Sequence, residues 1–158
     1  MDQQCKLYVL IGVPGSGKST WHSEQEWLQD AAYISTDRYV EEFAKSMGKT
    51  YSEVFKEVMP ECVNLMIGDV VVAREAGRDI VWDQTSTTVA SRKRKFNMLP
   101  DYYAIAVVCV TPEPADLVMR LDSRYDSGKI IPDQVVQDMI NNFEYPTEEE
   151  GFKEIWYV

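Results

Sequence analysis

"KLYVLIGVPGSGKS", Lys6 to Ser19, governs how the rest of the chain is read. Its first half, Lys6–Gly12, is a near-continuous apolar run that stops at glycine, the pattern of a strand buried on both faces. Its second half spells Gly12-x-x-x-x-Gly17-Lys18-Ser19. Glycines at that spacing let the backbone curl until several N–H groups point at one centre. A helix is expected to follow over Gly17–Gln29, and its N-terminal end adds positive potential to that centre. A strand, such a loop and a helix in this order cradle the phosphates of a nucleoside triphosphate. Gly12, Pro14, Gly15, Ser16, Gly17 and Thr20 line the cradle. Lys18 is expected to reach the β- and γ-phosphates, and the Ser19 hydroxyl to ligate Mg²⁺. ATP and Mg²⁺ are the expected cofactors.

Working outward, strands alternate with helices. Tyr33–Ser35, Asp79–Asp83, Tyr102–Val110 and the closing "KEIWYV" read as further strands. Asp37–Met47, Ser52–Ala76, Val89–Met98, Pro114–Tyr125 and Pro132–Phe143 read as helices. Pro60 interrupts the longest of them, so a kinked helix or two helices are expected there. The alternation implies parallel strands joined by right-handed crossovers, hence a three-layer α/β domain on a five-stranded sheet. The length of 158 residues fits one domain, with no repeat or linker in view. Tyr125–Ile131, "YDSGKII", is expected to be a mobile loop.

Composition narrows the class. No apolar run reaches the 18 or so residues of a membrane span. The polar start "MDQQ" is not that of a signal peptide, so a cytoplasmic location is expected, the host cytoplasm if a phage encodes the protein. Cys5, Cys62 and Cys109 are isolated and odd in number, which fits buried, reduced thiols. The single histidine, His22, reads as a surface residue near the loop. The net charge of −10 argues against tight non-specific binding to nucleic acid, though a local cationic groove on an acidic body remains compatible with it.

Three segments bear on where a phosphate would go. Asp37 follows the second strand, at the carboxyl edge where ligands bind in such sheets. A carboxylate there can take the proton of an attacking hydroxyl; its bland alternative is a helix N-cap. Asp83 is delivered to the same edge by the third strand, as a Mg²⁺ ligand through water or an orienter of the acceptor. No "DE" doublet follows it, which leans away from motor ATPases. Arg120 and Arg124, four apart on one helix face, precede a glycine-bearing loop with Lys129 and read as a lid over about 120–131 that neutralises charge in the transition state.

The set "GVPGSGKSTW", "STDRY", "WDQTST…SRKRK" and "RLDSRYDSGKIIPDQVVQDM" resembles the P-loop polynucleotide kinases, in particular the kinase domain of the phage-type 5′-hydroxyl enzymes. The ending "FEYPTEEEGFKEIWYV" is similar to related small P-loop kinases. The likeness spans nearly the whole chain. It implies a P-loop kinase fold with a small helical lid and an ATP- and Mg²⁺-dependent transfer. It also implies Lys18 and Ser19 on phosphate and metal, Asp37 as general base, Asp83 positioning the acceptor, and Arg124 or Arg120 as the lid arginine. The chain departs from the pattern after the base, where Asp37-Arg38-Tyr39-Val40 displaces the family's arginine, and at "DQTST", where Thr85 or Ser86 replaces an asparagine.

The acceptor stays open between a polynucleotide 5′-hydroxyl and a hydroxymethylated base such as 5-hydroxymethyluracil in phage DNA. A small metabolite or nucleoside, and a plain ATPase or nucleotide switch, are the alternatives. DNA is expected over RNA. Arg38, Asp83 and Thr85 are the substrate-binding candidates. Arg92 and Lys95 share one side of a helix, as phosphate contacts or as a soluble face. Tyr39, Tyr51 and Trp82 are candidates for base stacking or for core. Adenine contacts are expected near Thr111–Glu113 or from the lid, and Trp21 is expected to pack under the loop.

Overall fold

The computed structural model describes residues 4–124 and 128–158. Five strands form one sheet: β1 (Lys6–Ile11), β2 (Ala32–Ile34), β3 (Ile80–Asp83), β4 (Tyr103–Val108) and β5 (Glu154–Tyr157), in the order β2-β3-β1-β4-β5. Every pairing is parallel. This is the expected three-layer α/β architecture. Alternation along each strand explains the two buried layers. Leu7, Val9 and Ile11 face one side with Ile80, Trp82, Ala104, Ala106 and Val108; Tyr8, Leu10, Val81, Ile105 and Val107 face the other.

The first face is covered by α3 (Tyr51–Glu75) through Met66, Val70 and Ala73, and by α4 (Val89–Met98) with Leu99 just beyond it. The second is covered by the segment around α1 (Lys18–Glu24), which contributes Trp21, and by Leu28 of a 3₁₀ turn, Glu26–Leu28. The expected Gly17–Gln29 helix is therefore two pieces, broken at Gln25, whose backbone is extended. A third apolar cluster joins α2 (Asp37–Met47) to α3 through Val40, Ala44, Val54, Val58 and Cys62.

Pro60 does not divide α3, which runs unbroken over 25 residues. Lys56, whose carbonyl loses its helical partner to Pro60, lies with Pro60 on the exposed side of α3, where the helix can tolerate the missing bond. Buried Val58 and Cys62 on α2, then Met66 and Val70 on the sheet, anchor both halves. A reciprocal capping box between Thr50 and Glu53 starts the helix.

Helices α5 (Pro114–Asp122) and α6 (Asp133–Asn141) complete the chain, with a 3₁₀ turn, Glu148–Glu150, before β5. Tyr125–Ser127, part of the expected loop and lid, lie outside the described residues. Among the described residues, no helix is long and apolar enough to cross a membrane.

Candidate phosphate and acceptor site

Strands β1, β2 and β3 end on one edge of the sheet, and the register levels Leu10 with Asp83 and Trp82 with Ile34. The loop between β1 and α1, the start of α2 and the end of β3 therefore meet. Gly12 N–H donates to the Thr85 carbonyl at 2.9 Å, stitching the loop to the segment after β3. Gly15 and Gly17 have φ of 84° and 96°, which side chains with a Cβ rarely adopt. A Cβ at Gly12 would stand 2.3 Å from Ser16 Oγ, so only glycine lets Ser16 tuck inside the loop. Ser16 Oγ is buried there without a hydrogen-bond partner. The curled glycine backbone and an unpaired inward hydroxyl are what a phosphate cradle requires.

Lys18 Nζ turns back onto the carbonyls of Gly12 and Val13, at 2.9 and 3.1 Å. Burial holds its ammonium below the ordinary lysine value, against the opposing pull of Asp83. Ser19 Oγ donates to Asp83 Oδ2 at 2.7 Å, and the Tyr33 hydroxyl makes a short bond to the same oxygen. Asp83 is almost fully buried. Burial and then the Asp83 charge raise the Tyr33 phenol, so it stays a neutral donor. Among the described residues no group of three or more His, Cys, Asp or Glu is placed to hold a metal. Mg²⁺ commonly needs only one or two protein oxygens and keeps its waters. The hydroxyl–carboxylate pair Ser19–Asp83 fits that requirement.

Asp37 is the first residue of α2, whose N-cap is Thr36, so the capping alternative does not apply. Its backbone N–H donates to Ser35 Oγ at 3.2 Å. Its carboxylate is held from two sides: the Tyr51 hydroxyl donates to Oδ1 at 2.7 Å, and Lys129 Nζ to Oδ2 at 3.0 Å. Burial would raise this carboxyl, but the Lys129 charge, the two hydrogen bonds and the more distant Lys18 together hold it below the usual value. The side chain keeps 47% of its surface, so an incoming group has access.

From α5, Arg120 Nη1 donates to the Gly15 carbonyl at 3.1 Å. Leu117 and Leu121 of α5 lie against Gly15, where an added Cβ would come within 3.0 and 3.2 Å of them. Arg120, Ser123 and Arg124 line an open cavity of about 500 Å³ with Gly15, Thr20 and Trp21. Ser16, Gly17, Glu24, Cys109 and Val158 complete its wall, whereas Thr111–Glu113 do not line it. Trp21 thus packs on the second core layer and also borders this cavity.

Other expected residues sit elsewhere. Arg38 stacks over Tyr39, whose hydroxyl it meets at 2.9 Å, and pairs with Asp69 and Glu42, so its guanidinium engages α3 and its own helix. Arg92 and Lys95 are no soluble face. Both are buried, Arg92 completely, and neither presents an open cation to a polyanion. Trp82 is core, beneath the Lys95 ammonium at 5.1 Å. His22 is half-buried, stacked on Tyr33 with ring centroids 4.7 Å apart. Cys62 and Cys109 are buried free thiols, but Cys5 is only half-buried, donating to the Gly77 carbonyl.

Sequence reasoning overlooked Tyr33 and the Tyr51–Lys129 bracket. Local alternation does mark Tyr33 as facing away from Ala32 and Ile34. Nothing local links Lys129 to a residue 92 positions earlier.

A family model described as an AAA domain matches residues 7–146, most of the chain and every element just assembled into the site. The chain belongs to this AAA domain family. Heterogeneous nuclear ribonucleoprotein U-like protein 2 of Mus musculus is 22% identical over 98% of this chain. The Bifunctional polynucleotide phosphatase/kinase of Schizosaccharomyces pombe is 26% identical over 95% of it. The chain spans 22% and 32% of those relatives' lengths. Among solved structures, one from Chloroflexus aurantiacus superposes with a TM-score of 0.73 at 17% identity, covering 100% of this chain and 86% of that one. Shikimate kinase from Acinetobacter baumannii gives 0.54 at 15% identity, covering 98% and 84%. These likenesses bear out the parallel five-stranded P-loop kinase fold.

Proposed function

We propose that this AAA domain transfers the γ-phosphate of ATP to a hydroxyl of a nucleic acid, with Asp37 as general base. The observation that carries the reading is the pairing, on one sheet edge, of a phosphate cradle with a half-exposed carboxylate. The cradle follows β1 and Asp37 follows β2, and β3, which lies between those strands, ends in the Asp83 that Ser19 reaches at 2.7 Å. Ser19 and Asp83 would hold Mg²⁺, and ATP bound in the cradle would offer the electrophilic phosphorus. Asp37 accepts the proton of the acceptor hydroxyl as that oxygen bonds to the γ-phosphorus and the bond to the ADP oxygen breaks. A carboxylate kept below its ordinary value is a weak base. A loose phosphoryl-transfer transition state asks little more of it than to hold and aim the hydroxyl. Lys18 and Arg120 lie on the loop and Arg124 lines the cavity beside it, where cations would offset the charge gathering on the transferring group.

The similarity to the fission-yeast polynucleotide phosphatase/kinase supports a nucleic-acid acceptor. A small-metabolite acceptor is the second reading. The burial of Arg92 and Lys95 favours it by removing two expected polyanion contacts, as does the net charge of −10. Incubation with labelled ATP and DNA, RNA or nucleosides, followed by digestion and mass analysis, separates the readings. Phosphate on a DNA 5′ end or base supports the first; label on free nucleosides alone supports the second. Asp37→Asn should lower transfer about 10²- to 10⁴-fold with ATP affinity retained; unchanged transfer would remove Asp37 as the base.

A further inference from the structure

The two oxygens of Asp37 are each held by a different element. Tyr51, in the first turn of α3, takes Oδ1. Lys129, after α5, takes Oδ2 and lies over the Tyr51 ring at 4.7 Å, so the two partners also support each other. Residues 128–130 are docked on the start of α3. Ser52 Oγ accepts from Ile130 N–H at 2.7 Å and donates to the Ile130 carbonyl at 3.0 Å, while Ser52 N–H donates to the Gly128 carbonyl at 3.1 Å. Gly128, at φ 78°, leaves no room for a Cβ, which would come within 2.6 Å of Thr50. Lys129 is therefore carried to Asp37 by a fixed backbone.

We propose that Tyr51 and Lys129 are positioning residues for Asp37, bracketing its carboxylate so that its free lone pairs face the acceptor hydroxyl. The inference rests on the reading of Asp37 as the base. A carboxylate offers about four lone-pair sites, and the bracket occupies two of them. Without it, the side chain at the head of α2 turns among rotamers, and misplacement by about 1 Å costs transfer about 10²-fold. Arg120 Nη1 meets the Gly15 carbonyl of the loop and Lys129 meets Asp37, so cations from the chain beyond β4 reach both parts of the site.

The test is a double-mutant cycle with labelled ATP and the best acceptor found. Tyr51→Phe and Lys129→Ala are each expected to lower kcat about 10- to 100-fold, leave KM for ATP within about twofold, and lose that effect in an Asp37→Asn background. Lys129→Arg should recover part of the rate. Equal losses with and without Asp37, or wild-type kcat in both variants, overturn the bracket.

A second measurement uses no turnover. The Asp37 carboxyl resonance, followed by NMR in nucleotide-free protein, should titrate at higher pH in Lys129→Ala than in wild type. Lys129, Tyr51 and Lys18 are the groups that act on it, and only the first is removed. An unmoved titration overturns the bracket whatever the kinetics. If Asp37→Asn transfers at the wild-type rate while the titration moves, the bracket stands as geometry and the base reading falls.

Discussion

Arg92 and Glu150 form a two-pronged ion pair, Nε to Oε1 at 2.8 Å and Nη2 to Oε2 at 3.0 Å, with side chains 0% and 8% exposed. The remaining Arg92 nitrogen, Nη1, donates to the Ser86 carbonyl at 2.9 Å. Ser86 is held at φ 47°, outside the range most side chains prefer, directly after the Thr85 carbonyl that receives Gly12 N–H. This buried pair thus braces the backbone on which the phosphate loop leans.

Breaking it from one side leaves an uncompensated buried charge. Glu150→Ala is expected to destabilise the fold by about 3–5 kcal/mol, read by urea denaturation. Replacing both partners with apolar residues, Arg92→Met with Glu150→Leu, should cost clearly less. Equal losses would show that the pair's charge is not what the site depends on.

Lys95 links stability to pH. Burial, then repulsion from Arg94 and Arg92, lowers its ammonium to about 8 from 10.5. Between those values the unfolded chain binds the proton more readily than the folded one, so this group's contribution to stability rises with pH across the window. Lys95→Met removes the titration and also the contact over Trp82. The stability of the variant minus that of the wild type should fall by a few kcal/mol from pH 7 to pH 10. A difference that stays flat would refute the assignment.

Gly128→Ala should act at a distance from any chemistry. The new methyl meets Thr50, and φ 78° strains alanine as well, so residues 128–130 lift from α3. Transfer should fall about tenfold or more while ATP affinity changes little. Hydrogen exchange should show Ile130 N–H losing the protection that Ser52 provides.

Lys18→Met should weaken ATP binding outright, because it removes the ammonium that the loop carbonyls of Gly12 and Val13 hold at the cradle. Titration calorimetry should show at least about a tenfold loss of affinity. The same substitution should leave the folded protein intact by circular dichroism.

The three thiols should label in order of access. Cys5, half-buried, should react first with an alkylating agent at pH 7.5, and Cys62 and Cys109 only on unfolding. Burial raises the Cys109 thiol to about 11, which leaves almost no thiolate to react. Peptide mass mapping after brief labelling checks the order.

Strand periodicity and the glycine spacing carried most of the fold. β1, β3, α2 and α4 lie where the apolar patterns place them, because burial on a parallel sheet demands those patterns locally. The candidate site was legible as single residues: Lys18 and Ser19 at the head of α1, Asp37 at the head of α2 and Asp83 at the end of β3. It was not legible where two distant groups share one contact. The "SRKRK" run looks like a basic surface in sequence, yet its Arg92 is the most deeply buried cation of the fold, because the glutamate that neutralises it lies 58 residues on. Pro60 reads as a kink or a division into two helices; α3 is one helix through it, because Pro60 is exposed, and that exposure is a tertiary fact.

The sequence by itself determined that there is a buried strand, a glycine loop with lysine and serine, and carboxylates at the following strand ends. Those follow from steric and hydrophobic rules acting over a few residues. Only the tertiary structure decided that Tyr33 and Ser19 hold Asp83, that Tyr51 and Lys129 hold Asp37, and that Arg92 and Lys95 point inward. Charge interactions depend on separation through space and on local burial, and neither is set by separation along the chain.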